Sequence, residues 1–162
     1  MIEKGYIVIY IQSSYTIQTN GYAWTYDFEQ ARKDIVLSYN EVAAIYNIEP
    51  NIISGGFSGG AMASINLAMY NLIPLKGIIS LCPQETPDTT SQNIKDAAQR
   101  GIKVVLMEGE NEGILPFHQT LFGEFEKSGL EYQFIQNPNI GHSIPKDISI
   151  KTKQAIDFIN GK

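Results

Sequence analysis

Short apolar runs alternate along the chain with longer segments in which apolar residues return every three or four positions. Continuous aliphatic runs are typical of strands buried on both faces, and the longer periodicity is typical of helices with one buried face. The runs predict five strands, at residues 6–12, 51–54, 75–82, 102–108 and 130–136. The periodic segments predict five helices, at residues 28–46, 59–72, 92–100, 116–129 and 148–160. This alternation predicts an α/β fold, a three-layer sandwich with a mostly parallel sheet of about five strands.

Length, composition and charge limit the classes of function. The 162 residues contain no repeat or linker, so a single domain over residues 1–162 is expected. A net charge of -5 without basic runs argues against a nucleic-acid or membrane partner. The first apolar run is too short to span a bilayer and lacks the features of a signal peptide, so a cytoplasmic location is expected by default.

The segment "GGFSGG", residues 55–60, contains the pattern G-x-S-x-G between a predicted strand and a predicted helix. A tight strand-to-helix turn would present the Ser58 hydroxyl at the sheet edge, where a nucleophile is accessible. Gly56 and Gly60 would give the turn room, and the Gly59 N–H would face developing negative charge. The alternative is a glycine-rich turn without chemistry, or one that binds an anion, although no phosphate-binding fingerprint is present.

A serine nucleophile needs a base, and the chain has two histidines. His142 follows the last predicted strand, so it should reach the edge of the sheet where parallel strands end. His118 lies one turn inside a predicted helix, where an exposed position is expected. We therefore favour His142 as the base.

The base in turn needs a carboxylate to fix its tautomer. The loop after the fourth predicted strand offers Glu108, Glu110 and Glu112. Glu108 is expected to belong to the strand end, which leaves Glu110 and Glu112. With either, the chain order is serine, acid, histidine, which is the order of one particular fold.

Two further features each have a structural and a functional interpretation. Cys82 ends a predicted strand and is interpreted as a small core residue rather than a nucleophile. Tyr22, Trp24 and Tyr26 precede the first predicted helix, where they would either line an acyl pocket or pack over the sheet edge.

Three of these segments resemble the α/β-hydrolase superfamily, in its carboxylesterase, phospholipase and dienelactone-hydrolase-like branch: "IISGGFSGGAMA", "VVLMEGENEGILP" and "NPNIGHSIP". In that branch the acid loop reads glycine, two variable residues and aspartate, with a proline shortly after. The resemblance therefore places the acid at Glu112, between Gly109 and Pro116, with glutamate in place of aspartate and Glu110 as the alternative. It implies a serine hydrolase that cleaves an ester or related acyl bond of a small molecule through an acyl-enzyme, using Ser58, His142 and Glu112 without a metal or organic cofactor. The alternative is a catalytically silent relative that binds a ligand or partner in the same cleft.

The chain departs from this family upstream of the serine. Members usually carry an earlier strand ending in a His-Gly loop that supplies the second oxyanion donor, and nothing similar occurs here. The sequence therefore resembles a truncated α/β-hydrolase, and the backbone around Ser13 is the substitute donor we expect. Strand 6–12 should then pair directly with the serine strand and form the sheet edge. An apolar edge without proline or charge is expected to be covered by a second copy of the chain in a homodimer.

Overall fold

The structure, a computed structural model, describes residues 5–18, 21–25, 27–84 and 88–162. Two short antiparallel strands come first, β1 (Thr16–Gln18) and β2 (Gly21–Tyr22). The main sheet has four parallel strands in the spatial order of the chain: β3 (Ile52–Phe57), β4 (Leu75–Leu81), β5 (Lys103–Gly109) and β6 (Glu131–Asn137). All four strands therefore end at one edge of the sheet, where loops carry functional groups in such folds.

Helices cover both faces of the main sheet. They are α1 (Phe28–Ala43), α2 (Gly59–Tyr70), α3 (Ser91–Gln99), α4 (Leu115–Ser128) and α5 (Ile148–Ile159). One core cluster joins α2, α3 and α4 to the sheet, and another joins α5 to the opposite face. The predicted α/β class, with helices on both sides of a parallel sheet, is confirmed.

Strand β5 shows why continuous apolar runs predicted the central strands. Val104 and Leu106 belong to the core cluster of α2, α3 and α4, whereas Val105 and Met107 belong to the cluster of α5. Successive side chains point to opposite faces of a sheet, so the central positions of a strand covered on both sides are apolar in succession.

The expected strand at residues 6–12 is wrong. These residues form no strand, and Ile7, Ile9 and Tyr10 are 53%, 38% and 92% exposed. Ile11 packs beside Ile52 in the cluster around α1 and α2. A β-branched run forms a strand only where a neighbouring ladder accepts its backbone groups, and strand propensity does not identify that neighbour.

The main sheet consequently has four strands in the described part of the chain, and β3 is its edge. The direct pairing of residues 6–12 with the serine strand is also wrong. The homodimer was predicted through that first strand, so it loses its stated basis and stays a prediction.

Trp24, in the loop before α1, packs into the core and does not line an open pocket. The Trp24 side chain joins the cluster around Ile35 and Leu67, between α1 and α2. Tyr22 is exposed in β2, and Tyr26 lies outside the described residues. Within the described ranges, the helices are too short or too polar to cross a membrane.

Candidate active site

Ser58 occupies the single residue between β3 and α2. Its backbone has a φ of +53°, a left-handed conformation that non-glycine residues rarely adopt and that costs about 1–3 kcal/mol. The Ser58 N–H donates to the Leu81 carbonyl at 2.9 Å, which extends the ladder between β3 and β4 to the turn. The turn therefore holds the Ser58 side chain at the carboxyl edge of the sheet.

The tightness of this turn depends on Gly56. A Cβ at Gly56 would lie 2.4 Å from the carbonyl carbon of Gly60, which no backbone tolerates. A Cβ at Gly60 would meet nothing within 4 Å. The expectation that both glycines relieve a clash is therefore correct for Gly56 and wrong for Gly60, whose backbone is the group that a Gly56 side chain would strike.

This difference gives a matched pair of variants. We expect Gly56→Ala to lower the free energy of unfolding by at least about 3 kcal/mol, because a backbone must move to admit the methyl group. Gly60→Ala should change it by no more than about 1 kcal/mol, and in the stabilising direction, since alanine favours a helix. Urea denaturation of the two variants measures both values, and equal values would show that the turn is looser than this structure.

His142 lies in the loop after β6 and faces the serine. Its Nε2 atom is 2.9 Å from the Ser58 Oγ atom. The Phe57 ring packs against the imidazole with a centroid separation of 4.8 Å, which restricts its rotation. The His142 side chain is 42% exposed, so the open side of the imidazole faces solvent.

Glu112 contacts the other nitrogen of the same ring. Its Oε1 atom is 2.5 Å from the His142 Nδ1 atom, and its side chain is only 6% exposed. With the proton on Nδ1, directed at the carboxylate, Nε2 is free to accept a proton from Ser58. Ser58, His142 and Glu112 therefore form a continuous hydrogen-bonded chain.

The environment of Glu112 favours its charged form. Burial opposes ionisation, but hydrogen bonds from the Cys82 thiol, His142 and the Gly109 N–H outweigh it and hold the pKa of Glu112 below its ordinary value. Glu110 faces elsewhere: its Oε2 atom accepts the Asn139 N–H at 2.9 Å. Of the carboxylates left open by the sequence, Glu112 is the one in contact with His142.

The loop that carries Glu112 and the loop that carries His142 contact each other directly. The Asn111 N–H donates to the Ile140 carbonyl at 2.9 Å. A Cβ at Gly109 would lie 2.2 Å from the Gly141 carbonyl oxygen, so the loops approach this closely only because residue 109 is glycine. This contact holds the backbones of the two loops together, one carrying Glu112 and the other His142.

Cys82 belongs to the same site, which the sequence interpretation missed. It is fully buried at the end of β4, as expected for a core residue, yet its thiol also contacts the Glu112 carboxylate. Burial and the neighbouring carboxylate raise the pKa of Cys82 to about 12, so the thiol is protonated and donates to Glu112. The signal for this contact that the sequence offered was the position of Cys82 at the end of β4, the strand between β3 and β5.

One group of possible metal ligands occurs among the described residues. The Sγ atom of Cys82, a carboxylate oxygen of Glu112 and a ring nitrogen of His142 lie within 4.8 Å of one another.

His118 is not exposed, contrary to expectation. It is fully buried, and its Nδ1 atom is 2.5 Å from Oε2 of Glu108, itself buried in β5. His118 shares the buried face of α4 with Leu121 and Phe125, at spacings of three and seven residues. That spacing was a readable signal, and it directs His118 into the core rather than toward Ser58.

The two expected oxyanion donors, the Gly59 N–H and the backbone around Ser13, have different surroundings in the structure. Gly59 is the first residue of α2, so its N–H has no acceptor within the helix and lies beside Ser58. Ser13 is buried, with its hydroxyl donating to the Ala23 carbonyl at 2.5 Å. The next amide, of Ser14, donates to Asp34 at 2.7 Å and is not available to a substrate.

The parallel sheet, its flanking helices and a serine on a strained strand-to-helix turn define an α/β-hydrolase type of fold. The family model that matches is described as phospholipase/carboxylesterase and covers residues 37–160. The chain belongs to this phospholipase/carboxylesterase family. No curated protein sequence matches the chain.

Solved structures with the same fold share little sequence with this chain. An uncharacterized protein from Bacillus cereus ATCC 10987 is 22% identical, with a TM-score of 0.89, over 99% of this chain and 52% of its own. Arabidopsis thaliana SOBER1 is 17% identical, with a TM-score of 0.65, over 83% of this chain and 66% of its own. The Bacillus cereus carboxylesterase is 18% identical, with a TM-score of 0.60, over 90% of this chain and 67% of its own. The chain thus spans about half to two thirds of the length of these structures.

Proposed function

We propose that this chain is a serine hydrolase that cleaves an ester or related acyl bond of a small molecule. The observation that carries the proposal is the hydrogen-bonded chain from Ser58 Oγ through His142 to Glu112, with contacts of 2.9 Å and 2.5 Å. Membership of the phospholipase/carboxylesterase family supports the same reaction class. The 42% exposure of the His142 side chain gives a small acyl substrate access to the site from solvent.

In the first half of the reaction, Ser58 Oγ attacks the acyl carbon while its proton moves to His142 Nε2. The resulting imidazolium keeps its Nδ1 proton on the Glu112 carboxylate, which stabilises the positive charge. The negative charge on the acyl oxygen develops beside the start of α2, where the Gly59 N–H and the helix dipole favour it. His142 then returns its proton to the departing alcohol, leaving an acyl group on Ser58.

In the second half, a water molecule replaces the alcohol. His142 takes one proton of that water while the oxygen attacks the acyl carbon. The proton then passes to Ser58 Oγ as the ester bond to the enzyme breaks, which releases the carboxylic acid. Every proton transfer in this proposed cycle passes through His142, so the cycle uses neither a metal nor an organic cofactor.

The labelling experiment for this proposal uses a fluorophosphonate, which reacts with activated serines. We expect a single modified residue, Ser58, when the labelled protein is digested and mapped. Labelling should disappear in urea-unfolded protein, because the activation comes from His142 and not from serine itself.

Modification of another serine, or none in folded protein, would contradict the proposed hydrolase. The second result would favour the alternative function, a silent relative that binds a ligand in the same cleft. That alternative is supported by the Ser14 amide, one of the backbone groups expected as a second oxyanion donor, which donates to Asp34 instead.

A further inference from the structure

The proposed hydrolase reaction gives no reason for a thiol in contact with the acid. Yet Cys82, Glu112 and His142 converge from the ends of β4, β5 and β6, with one ligand atom of each within 4.8 Å of the others. A thiolate, a carboxylate and an imidazole are the three ligand types that Zn²⁺ binds, with a water molecule completing a tetrahedron.

The surroundings of the sulfur suit a metal-bound thiolate. The backbone N–H groups of Gly109 and Ser143 lie near the Cys82 sulfur and favour negative charge on it, although they donate to Glu112 Oε2 at 3.4 Å and to the Gly141 carbonyl at 2.8 Å. The group that opposes ionisation, besides burial, is the Glu112 carboxylate. A divalent cation between the sulfur and the carboxylate turns that repulsion into attraction to both.

We propose that Cys82, Glu112 and His142 form an inhibitory Zn²⁺ site. Its inhibitory part rests on the hydrolase function proposed above. On binding, the Cys82 thiol loses its proton to bulk water and a Zn–S bond forms, the His142 ring exchanges its Nδ1 proton for one on Nε2 through solvent so that Nδ1 can bind the metal, and the Glu112 carboxylate binds without losing a proton.

Inhibition follows from which ring nitrogen the metal takes. The ligand atom that His142 directs toward Glu112 is Nδ1. A neutral imidazole bound to zinc through Nδ1 carries its proton on Nε2, the atom 2.9 Å from Ser58 Oγ. That Nε2 cannot accept the serine proton. Ser58 therefore loses its base, although the metal does not cover the Ser58 hydroxyl.

The geometry allows the ion to enter. The His142 side chain is 42% exposed and the Glu112 side chain 6%, so the cluster opens to solvent at the imidazole. Two light ligand atoms on a tetrahedral zinc lie about 3.3 Å apart, given bonds of about 2.0–2.1 Å. The present Nδ1–Oε1 separation is 2.5 Å, so the exposed ring must move outward by roughly 1 Å to admit the metal.

Direct binding is tested first, with Co²⁺ as a spectroscopic substitute for Zn²⁺. The Ser58→Ala variant is used because it keeps all three ligands and lacks the proposed nucleophile. We expect one equivalent of Co²⁺ to produce a thiolate-to-cobalt absorption band, and excess Zn²⁺ to remove it. Cys82 is the chain's one cysteine, so this band identifies the sulfur ligand without a cysteine variant.

Two variants in the Ser58→Ala background serve as controls for the band. Cys82→Ser should abolish the band, and Glu110→Gln, which alters an exposed neighbouring carboxylate, should keep it. Absence of the band in Ser58→Ala, or loss of it in Glu110→Gln with folding intact, would overturn the site.

Inhibition is measured separately, with hydrolysis of p-nitrophenyl acetate by the wild-type chain. We expect Zn²⁺ to inhibit and a chelator to restore the rate. In Cys82→Ser, half-inhibition should need at least about tenfold more Zn²⁺, relative to that variant's own metal-free rate. Cobalt binding without any esterase activity would defeat the proposed function and keep the metal site, whereas activity indifferent to Zn²⁺ would defeat the inhibitory site and keep the function.

Discussion

Ser58→Ala is expected to lower kcat for ester hydrolysis by about 10⁶-fold, as removal of an activated serine does in other serine hydrolases. The reason is that the variant loses the atom that both contacts His142 Nε2 and lies beside the Gly59 N–H at the start of α2. Residual catalysis from the oxyanion donor and binding remains. Initial rates with p-nitrophenyl acetate measure the change, and thermal unfolding checks that the variant stays folded.

A serine elsewhere provides the control. Ser149 is exposed near the start of α5, far along the chain from the turn, and Ser149→Ala should leave kcat within about twofold, as for other surface substitutions. An active Ser58→Ala would mean that hydrolysis uses a different nucleophile, or that it arises from a contaminant.

The central part of the fold was predictable because its physical cause is local in the sequence. Strands β4 and β5 are covered on both faces, so their central positions, such as Ile78 and Ile79 or Val104 to Met107, are apolar in succession, and each strand is followed by a periodic helix. The edge that brings Ser58, Glu112 and His142 together follows from parallel strands ending on one side. These residues could thus be placed near one another before any distance was known, although their roles stay proposals.

Other features depend on neighbours that no sequence pattern specifies. Residues 6–12 have the composition of a strand but lack a ladder to join, and the side chain of Tyr10 is 92% exposed. His118 is polar, yet it is buried in the core with its Nδ1 atom 2.5 Å from Oε2 of Glu108 in β5. Cys82 looked like a core residue and is one, but its contact with Glu112 depends on the left-handed backbone at position 82, with a φ of +52°.

Glu112→Gln is expected to lower kcat by about 10⁴-fold, as the loss of a triad carboxylate does elsewhere. A glutamine amide can donate to Nδ1, which then becomes an acceptor, and the ring proton moves to Nε2. His142 would therefore present a proton to Ser58 instead of accepting one. The substitution keeps the shape of the buried side chain, so the folded structure and its unfolding temperature should change little compared with kcat.

Glu110→Gln is the matched control, two residues away in the same loop. Its remaining side-chain oxygen can still accept the Asn139 N–H, which Glu110 accepts at 2.9 Å, so kcat should fall by less than about threefold. Fluorophosphonate labelling adds a second measurement, because the labelling rate reports activation of Ser58 without substrate turnover. It should drop steeply in Glu112→Gln and stay near the wild-type rate in Glu110→Gln. The reverse ranking in both measurements would assign the acid to Glu110 and would require the loop after β5 to rearrange in solution.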